Sequence, residues 1–536
     1  MGDLLPPPDA FGFENYTDWR PHQSDAVEAC TGSPHRFTAL VAPTGSGKSL
    51  TYLVSAHLQG LRAVILTSTK GLQTQLARDY ASVGLVDMRG RNNYLCRARD
   101  DGSNCEDAPC TVGCFCGLRR DGCDYYDALR AAQEAPLVVT NYAFWMAAEA
   151  YMEEGLGARD LIVCDEAHNA PEAVAAFLTV QFSYRSPVIL PYLDKAERTL
   201  LDMTMTDWIT WARETLEPMG KRLEDLQKRL KEEGGGRRSD RKEFTALSKL
   251  YRGILRVARV KDANTWVCTV DTKIRRQVQL APIWPGKEAE NVLFLGRPRV
   301  LTTSATVCAK TLQLLGIPKE EYGILEYPHT FPKENRLLLH IPTIRLNYQT
   351  SARELKYWVS RIDQIIRRRL DRKGIIHTIS YKRRDFVVQN SEYSRYMITH
   401  NTKDAEETVR RFKEMPAPAI LVSPSMSTGW DFPYSECEYQ IIGKIPYPDT
   451  TDKLTKARCR ADKTYAAYIA MQELVQACGR GVRAPDDRCE TFIIDDNVKW
   501  FIPRNRDFAP KWFAEAFDRR NTIPIPPPPL TLNREE

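Results

Sequence analysis

The run Val41-Ala-Pro-Thr-Gly-Ser-Gly-Lys-Ser follows an apolar segment and leads into a helical pattern from Leu50 to Leu58. Glycines at 45 and 47 let consecutive backbone N–H groups close round an anion at a helix N-terminus, with Thr44 and Ser46 in the same loop. Lys48 can then reach terminal phosphates, and Ser49 can supply an oxygen to Mg²⁺. Further on, Leu161-Ile-Val-Cys-Asp-Glu-Ala-His reads as a buried strand ending in two carboxylates. At such a strand end Asp165 can hold Mg²⁺ through water while Glu166 polarises an attacking water as base. An Asp-Glu pair alone is a weak signal, but beside a phosphate loop it is specific. In Gln476-Ala-Cys-Gly-Arg-Gly-Val-Arg, Arg480 and Arg483 are three apart, a spacing that puts both on one helix face. From a second domain they can reach a γ-phosphate and stabilise its charge during transfer.

A second chemistry is concentrated in one short window. Of 14 cysteines, Cys96, Cys105, Cys110, Cys114, Cys116 and Cys123 crowd together, while the rest are scattered. In a reducing compartment such a cluster points to metal rather than disulfides. Four thiolates suffice for a [4Fe–4S] cluster or for tetrahedral zinc, and spacing does not separate the two metals.

These residues need rigid elements to hold them. Short apolar runs recur at Phe37 to Val41, Arg62 to Thr67, Leu137 to Thr140, Leu161 to Cys164, Val300 to Thr303, Gly374 to Ile379, Ile420 to Ser423 and Thr491 to Ile494. Helical patterns lie between many of them, which predicts an α/β protein with two parallel sheets covered on both faces. Two segments break that rhythm. Residues 91–127 are rich in Cys, Gly and Asp without periodicity; in 181–270, Leu216, Met219, Leu223, Leu226 and Leu230 form a helical seam, followed by Gly234-Gly-Gly and a second apolar series from Phe244 to Ile254. That predicts a helical hairpin inserted in the α/β host. The end of the chain, 521–536, is proline-rich and is expected to be an extended, solvated tail.

The chain has 536 residues, 27% charged and 43% apolar, with 75 basic against 69 acidic side chains. A net charge of +6 excludes a wholly disordered or uniformly polybasic chain, so any nucleic-acid footprint must be local. No apolar run approaches the roughly eighteen residues a membrane span needs. The opening residues lack a secretory pattern, so a soluble cytoplasmic protein without a membrane partner is expected.

Taken in order along the chain, the motifs resemble those of superfamily-two DEAH-box helicases, specifically the XPD/DinG family of iron–sulfur helicases in its compact bacterial or phage form. Besides the segments above, the resemblance rests on Arg20-Pro-His-Gln, Thr67-Ser-Thr-Lys-Gly-Leu-Gln, Val139-Thr-Asn-Tyr-Ala-Phe-Trp, Leu301-Thr-Thr-Ser-Ala-Thr and Gly429-Trp-Asp-Phe-Pro. It implies two RecA-like motor domains, the first interrupted by an iron–sulfur domain and a helical arch. The implied boundaries are 1–90 with 128–180 and 271–316 for motor domain 1, 91–127 for the iron–sulfur domain, 181–270 for the arch, and 317–520 for motor domain 2. It implies ATP and Mg²⁺ as cofactors, with Arg20 and Gln23 reading adenine and Asp431 touching the nucleotide from the second domain. Ser304 and Thr306 would couple hydrolysis to strand movement, and Gln476 would join Lys48, Asp165, Glu166, Arg480 and Arg483 in catalysis. Ser427-Thr-Gly-Trp-Asp departs from the Glu-Gly-Val-Asp of many relatives, so that loop lacks a carboxylate. For the [4Fe–4S] cluster it favours iron over zinc and suggests Cys96, Cys110, Cys116 and Cys123 as ligands, leaving Cys105 and Cys114 without a role.

The activity implied is that of a monomeric, ATP-dependent 5′-to-3′ helicase acting on single-stranded and on forked or tailed duplex DNA. A DEAH-type RNA-remodelling ATPase with a zinc module, or a non-catalytic nucleic-acid scaffold, are the alternatives. Residues 353–385 carry a local charge of +7, from eleven basic and four acidic side chains. Arg361, Arg367, Arg368, Arg369 and Arg372 lie largely off its apolar stripe, as a solvated helix face or a phosphate-binding surface would require. Lys382-Arg-Arg, just past a strand, is the stronger candidate for phosphate contact.

Overall fold

The computed structural model describes residues 5–153, 155–193, 197–424, 430 and 432–530. The strands, in chain order, are β1 (Phe37–Val41), β2 (Ala63–Thr67), β3 (Leu85–Asp87), β4 (Leu137–Asn141), β5 (Leu161–Asp165), β6 (Val180–Ser183), β7 (Trp266–Asp271), β8 (Gln277–Pro282), β9 (Arg299–Ser304), β10 (Tyr322–Glu326), β11 (Leu338–Ile344), β12 (Gly374–His377), β13 (Met397–Thr399), β14 (Ile420–Ser423), β15 (Tyr439–Ile442), β16 (Glu490–Asp495) and β17 (Phe517–Arg519). The helices that matter to the site are α1 (Gln23–Thr31), α2 (Lys48–Leu58), α3 (Met205–Glu232), α4 (Arg238–Ala258), α5 (Ala352–Arg367) and α6 (Tyr465–Cys478).

Two seven-stranded sheets carry the fold, ordered β10-β1-β9-β5-β2-β4-β3 and β13-β14-β12-β15-β16-β11-β17. Every pairing in both is parallel. The central strands are buried along their whole length, as in Phe-Thr-Ala-Leu-Val of β1 and Leu-Ile-Val-Cys-Asp of β5. Helices cover both faces, which is why these strands read as continuous apolar runs rather than alternating ones. β10 pairs with β1, so the first sheet extends to residue 326, past the expected boundary at 316.

The inserted region is a helical hairpin on a small sheet. α3 starts at a capping box in which Thr204 and Asp207 satisfy each other's backbone N–H groups. It runs antiparallel to α4, and the turn between them is Gly234, Gly235 and Gly236, all at positive φ (62°, 105° and 57°). Side chains other than glycine rarely adopt that backbone, so three glycines can reverse the chain in so little length. Met219, Leu226 and Leu230 of the expected seam are buried against Phe244, Leu247 and Ile254. At its base β6, β8 and β7 form an antiparallel sheet, so the arch is not purely helical.

Two expectations for the second domain are corrected. The proline-rich segment is docked rather than solvated through residue 530: Ile523 is buried, Arg369 donates to the Pro524 carbonyl (3.3 Å), Arg372 to Pro527 (2.9 Å), and the Leu530 N–H reaches Glu438 (2.9 Å). Much of the basic stretch is internal as well. Arg369 is fully buried and holds Glu490 through two bonds of 2.7 and 2.8 Å, while Arg372 is 3% exposed beside Glu438. A guanidinium's flat fork matches a carboxylate edge-on, so this pair braces α5 against β16.

Candidate nucleotide site between the two sheets

The sheet order alone brings the chemistry together. β9 lies between β1 and β5, with Val41 opposite Ser304 and Asp165 opposite Thr303. The carboxyl ends of these strands therefore put the phosphate loop, Ser304 and the Asp165–Glu166 pair side by side at one edge, where parallel α/β sheets bind ligands.

In the loop, Gly45 and Gly47 both take φ of 81°. A Cβ on Gly45 would lie 2.5 Å from the Phe331 ring, and one on Gly47 would lie 2.3 Å from Gln23 Nε2. Ser46 Oγ donates to the Pro43 carbonyl (2.8 Å), and Lys48 Nζ turns into the loop toward the carbonyls of Pro43 (3.3 Å) and Ala42 (3.4 Å). Gln23, on α1, donates to the Gly47 carbonyl (2.9 Å) and accepts from the Arg20 N–H (3.0 Å); Arg20 donates to the Gly45 carbonyl. Both side chains thus brace the phosphate loop. Tyr52 of α2 links the two candidate Mg²⁺ ligands: its hydroxyl contacts Ser49 and donates to Asp165 Oδ2 at 3.3 Å. A hydroxyl and a carboxylate of this kind suit the hard oxygen coordination of Mg²⁺.

Glu166 follows β5 with φ of 48°, a left-handed turn that carries its carboxylate away from Asp165 toward β9. There a chain of polar contacts crosses between the domains. Ser304 Oγ donates to Glu166 Oε2 (3.3 Å) and lies 2.8 Å from His168 Nδ1; Thr306 Oγ1 lies 3.4 Å from Ser304 and accepts from Gln476 Nε2 (3.1 Å). Burial first, then the charge of Glu166, pushes Asp165 up to about 7. Burial also opposes ionisation of Glu166, but the hydrogen bond and charge of His168, then Lys48, outweigh it and hold that carboxyl down to about 2. The contacts of Glu166 favour its ionised form, as suits a group that must accept or orient a water's proton. His168 was not singled out from the sequence; its spacing from Asp165, three residues past the strand end, was the available signal.

Arg480 and Arg483 face this centre from the second domain. Burial makes both charges harder to hold, and Glu166 partly offsets it for each. They are not on a helix face: α6 ends at Cys478, and both arginines lie in the irregular segment beyond. Gly481 packs this segment closely against Cys489, whose Sγ would lie 2.4 Å from a Cβ placed there. The Arg483 carbonyl is 3.1 Å from a Cβ placed on Gly45, and Gly479 faces Thr44, so the two motifs close on each other. Arg480 Nη1 donates to the Trp430 carbonyl (3.1 Å), while its Nε is buried without a hydrogen-bond partner. Asp431, expected at the nucleotide, lies outside the described residues.

Of the candidate phosphate contacts, Arg384 donates to the His400 carbonyl (2.7 Å) and Arg383 is half-buried against Ser380. Lys382 remains exposed at the start of a helix.

Five of the clustered cysteines are neighbours. A short antiparallel contact, Cys96 N–H to the Ser103 carbonyl (3.0 Å) and Cys105 N–H to the Tyr94 carbonyl (2.8 Å), sets Cys96 beside Cys105. Burial, then the charge and hydrogen bond of Cys123, then Cys96 and Cys110, push the Cys105 thiol up to about 12. Burial also raises the Cys110 thiol; Arg91 opposes the rise, and Cys116 adds to it. Cys105, left without a role by the sequence, therefore sits among the four expected ligands; nothing in its spacing set it apart. Cys114 turns away, its Sγ 3.9 Å from the Leu230 carbonyl in the arch. Among the described residues no three Cys, His, Asp or Glu side chains are gathered as a finished metal site. The donor set, all thiols, nonetheless suits a soft metal.

Two parallel sheets that clamp a phosphate loop against paired arginines define a two-domain motor of the helicase class, and comparison with known proteins gives the same class. Residues 16–206 match the family model for the type III restriction enzyme res subunit, and residues 363–516 match that for the helicase C-terminal domain. The structure superposes on one named XPD_Helicase with a TM-score of 0.59 at 15% identity, covering 97% of this chain and 100% of the other. For XPD_APO the values are 0.57 and 15%, covering 91% and 98%. For S. tokodaii Xpd4 they are 0.56 and 13%, covering 94% and 100%. No curated protein matches the sequence. The fold is that of these XPD structures. No described helix is long and apolar enough to cross a membrane.

Proposed function

We propose that the protein is an ATP- and Mg²⁺-dependent helicase that moves 5′ to 3′ along single-stranded DNA and separates forked or tailed duplexes. The observation that carries this reading is the polar chain from Glu166 through Ser304 and Thr306 to Gln476, which ties the hydrolytic carboxylate of one domain to the other domain. Lys48 and the loop N–H groups bind the phosphates, Ser49 and Asp165 hold Mg²⁺, and Glu166 orients the attacking water and takes its proton. Arg480 and Arg483 stabilise charge on the transferring phosphoryl group only while the cleft is closed, so hydrolysis and domain movement alternate. Arg20, Gln23, Thr44 and Ser46 shape the loop, and Asp431 completes the nucleotide contact. The motor acts on any sequence, since its substrate is gripped through backbone and stacking contacts.

Cys96, Cys110, Cys116 and Cys123 are the ligands proposed for a [4Fe–4S] cluster, with Cys105 beside them. When bound, such a cluster would cross-link a segment that has little regular structure of its own. Iron, sulfide and zinc analysis of protein purified without oxygen tests this: zinc in place of iron would overturn the cluster.

The activity is tested by strand displacement with ATP on duplexes carrying only a 5′ or only a 3′ single-stranded tail. Unwinding from the 5′ tail alone is expected; unwinding only from the 3′ tail would overturn the polarity, and action only on RNA would overturn the substrate.

A further inference from the structure

A fully buried arginine is costly unless every donor is met, and Arg241 of the arch meets all of them. Its Nε donates to the Asp107 carbonyl (2.7 Å), Nη1 to the carbonyls of Gly235 (3.1 Å) and Gly236 (2.8 Å), and Nη2 to Asp101 Oδ2 (2.5 Å) and Ser103 Oγ (2.9 Å). Three of these five bonds land on the loop between Cys96 and Cys110, and two on the glycine turn between α3 and α4. The same loop residues set the cysteine backbone. The Ser103 carbonyl receives the Cys96 N–H, and Asp107 Oδ1 receives the Asn104 N–H (2.8 Å), the residue before Cys105. Arg238, one turn before Arg241, adds a bond from Nε to Asp107 Oδ2 (2.8 Å), and Lys249 pairs with Glu106. Gln227 of α3 donates to the Val112 carbonyl (3.2 Å), and the Val112 side chain is buried in the arch core.

We propose that Arg241 is a positioning residue for the cysteine module: it locks the loop carrying Cys96, Cys105 and Cys110 onto the arch, so that the thiols stay gathered and metal retention depends on the arch. The consequence for metal rests on the metal reading above; the ordering of the loop does not. The segment 91–127 has few regular backbone bonds to hold itself, and the arch supplies the rigidity it lacks. A charged anchor suits the task because a guanidinium can hold two carbonyl directions and a carboxylate at once, where an apolar contact would fix none of them.

Thiol labelling of the metal-stripped full chain tests the lock, with the label on Cys105 read by mass spectrometry. Arg241→Met is expected to raise the Cys105 labelling rate at least about tenfold, because local opening becomes that much easier once these bonds are gone. Arg241→Lys should restore part of the protection, and Asp101→Asn, which leaves the arch untouched, should show a smaller rise of the same kind. Arg222→Gln is the control: Arg222 pairs with Glu243 (2.5 Å) inside the arch and touches no cysteine loop residue. Labelling of Arg241→Met at the wild-type rate, or an equal rise in Arg222→Gln, would overturn the proposal. In metal-loaded protein, Arg241→Met should release metal to a chelator faster than Arg222→Gln; equal release rates would overturn the link to metal. Wild-type protein that retains neither iron nor zinc would sink the metal reading, while the labelling comparison would still decide whether Arg241 orders the loop.

Discussion

Glu166 occupies a left-handed backbone position, φ 48°, that costs a non-glycine residue about 1–2 kcal/mol. Such strain persists where the surroundings over-determine it, and here His168 and Ser304 receive the carboxylate. The pair of acids was legible in the sequence; their division of labour was not, because it depends on which neighbour each meets. Ser304→Ala removes the hydroxyl shared by Glu166, His168 and Thr306. It should leave most nucleotide hydrolysis intact while cutting strand displacement at least about tenfold, the size of one good charged hydrogen bond. Equal losses in both assays would argue against a coupling role. His329 gives a pH dependence. Burial first, then Arg336 and Lys48, pull its imidazole down to about 3, and its Nδ1 accepts the Phe331 N–H (3.1 Å), which requires the neutral ring. The unfolded chain takes up this proton below about pH 6.5, the folded chain only near 3, so stability is full above 6.5 and declines as pH falls between those values, by up to ~1.4 kcal/mol per pH unit. The melting temperature should therefore drop from pH 7 to 5 less steeply in His329→Gln than in wild type; parallel slopes would contradict this.

At the scale of elements, the central strands were legible as continuous apolar runs and the helical hairpin by its apolar spacing of three and four. β3, β13 and β17 have three residues each, too few to show a period, and they lie at or near sheet edges. β11 and β15 were missed although buried, since neither stands out from the apolar sequence around it. The basic stretch misled for a different reason: charge in a sequence does not reveal a partner far along the chain. Arg369 meets Glu490, 121 residues away. Leaving one half of a buried pair without its partner costs about 3–5 kcal/mol, so Arg369→Met should make the second motor domain melt early, whereas Arg367→Met, exposed at the end of α5 two residues before it, should not. Equal melting of the two variants would refute the brace.

Across the whole molecule, the two domains meet with Arg480 and Arg483 facing Glu166 and with Gly45 and Gly479 where the backbones approach. The tail belongs to this economy of contacts: residues 523–530 cap α5 and the edge beside Glu438. Deleting 521–536 should lower the melting temperature of the second domain, and an unchanged melt would show the docking to be inconsequential. The central claim is that Glu166, held ionised opposite Arg480 and Arg483, drives ATP hydrolysis tied to a nucleic-acid strand. The most direct measurement is the ATPase rate with and without single-stranded DNA, for wild type and Glu166→Gln. The account predicts a DNA-stimulated rate that falls at least about a hundredfold in Glu166→Gln, the scale of a lost general base; an undiminished rate in that variant would contradict it.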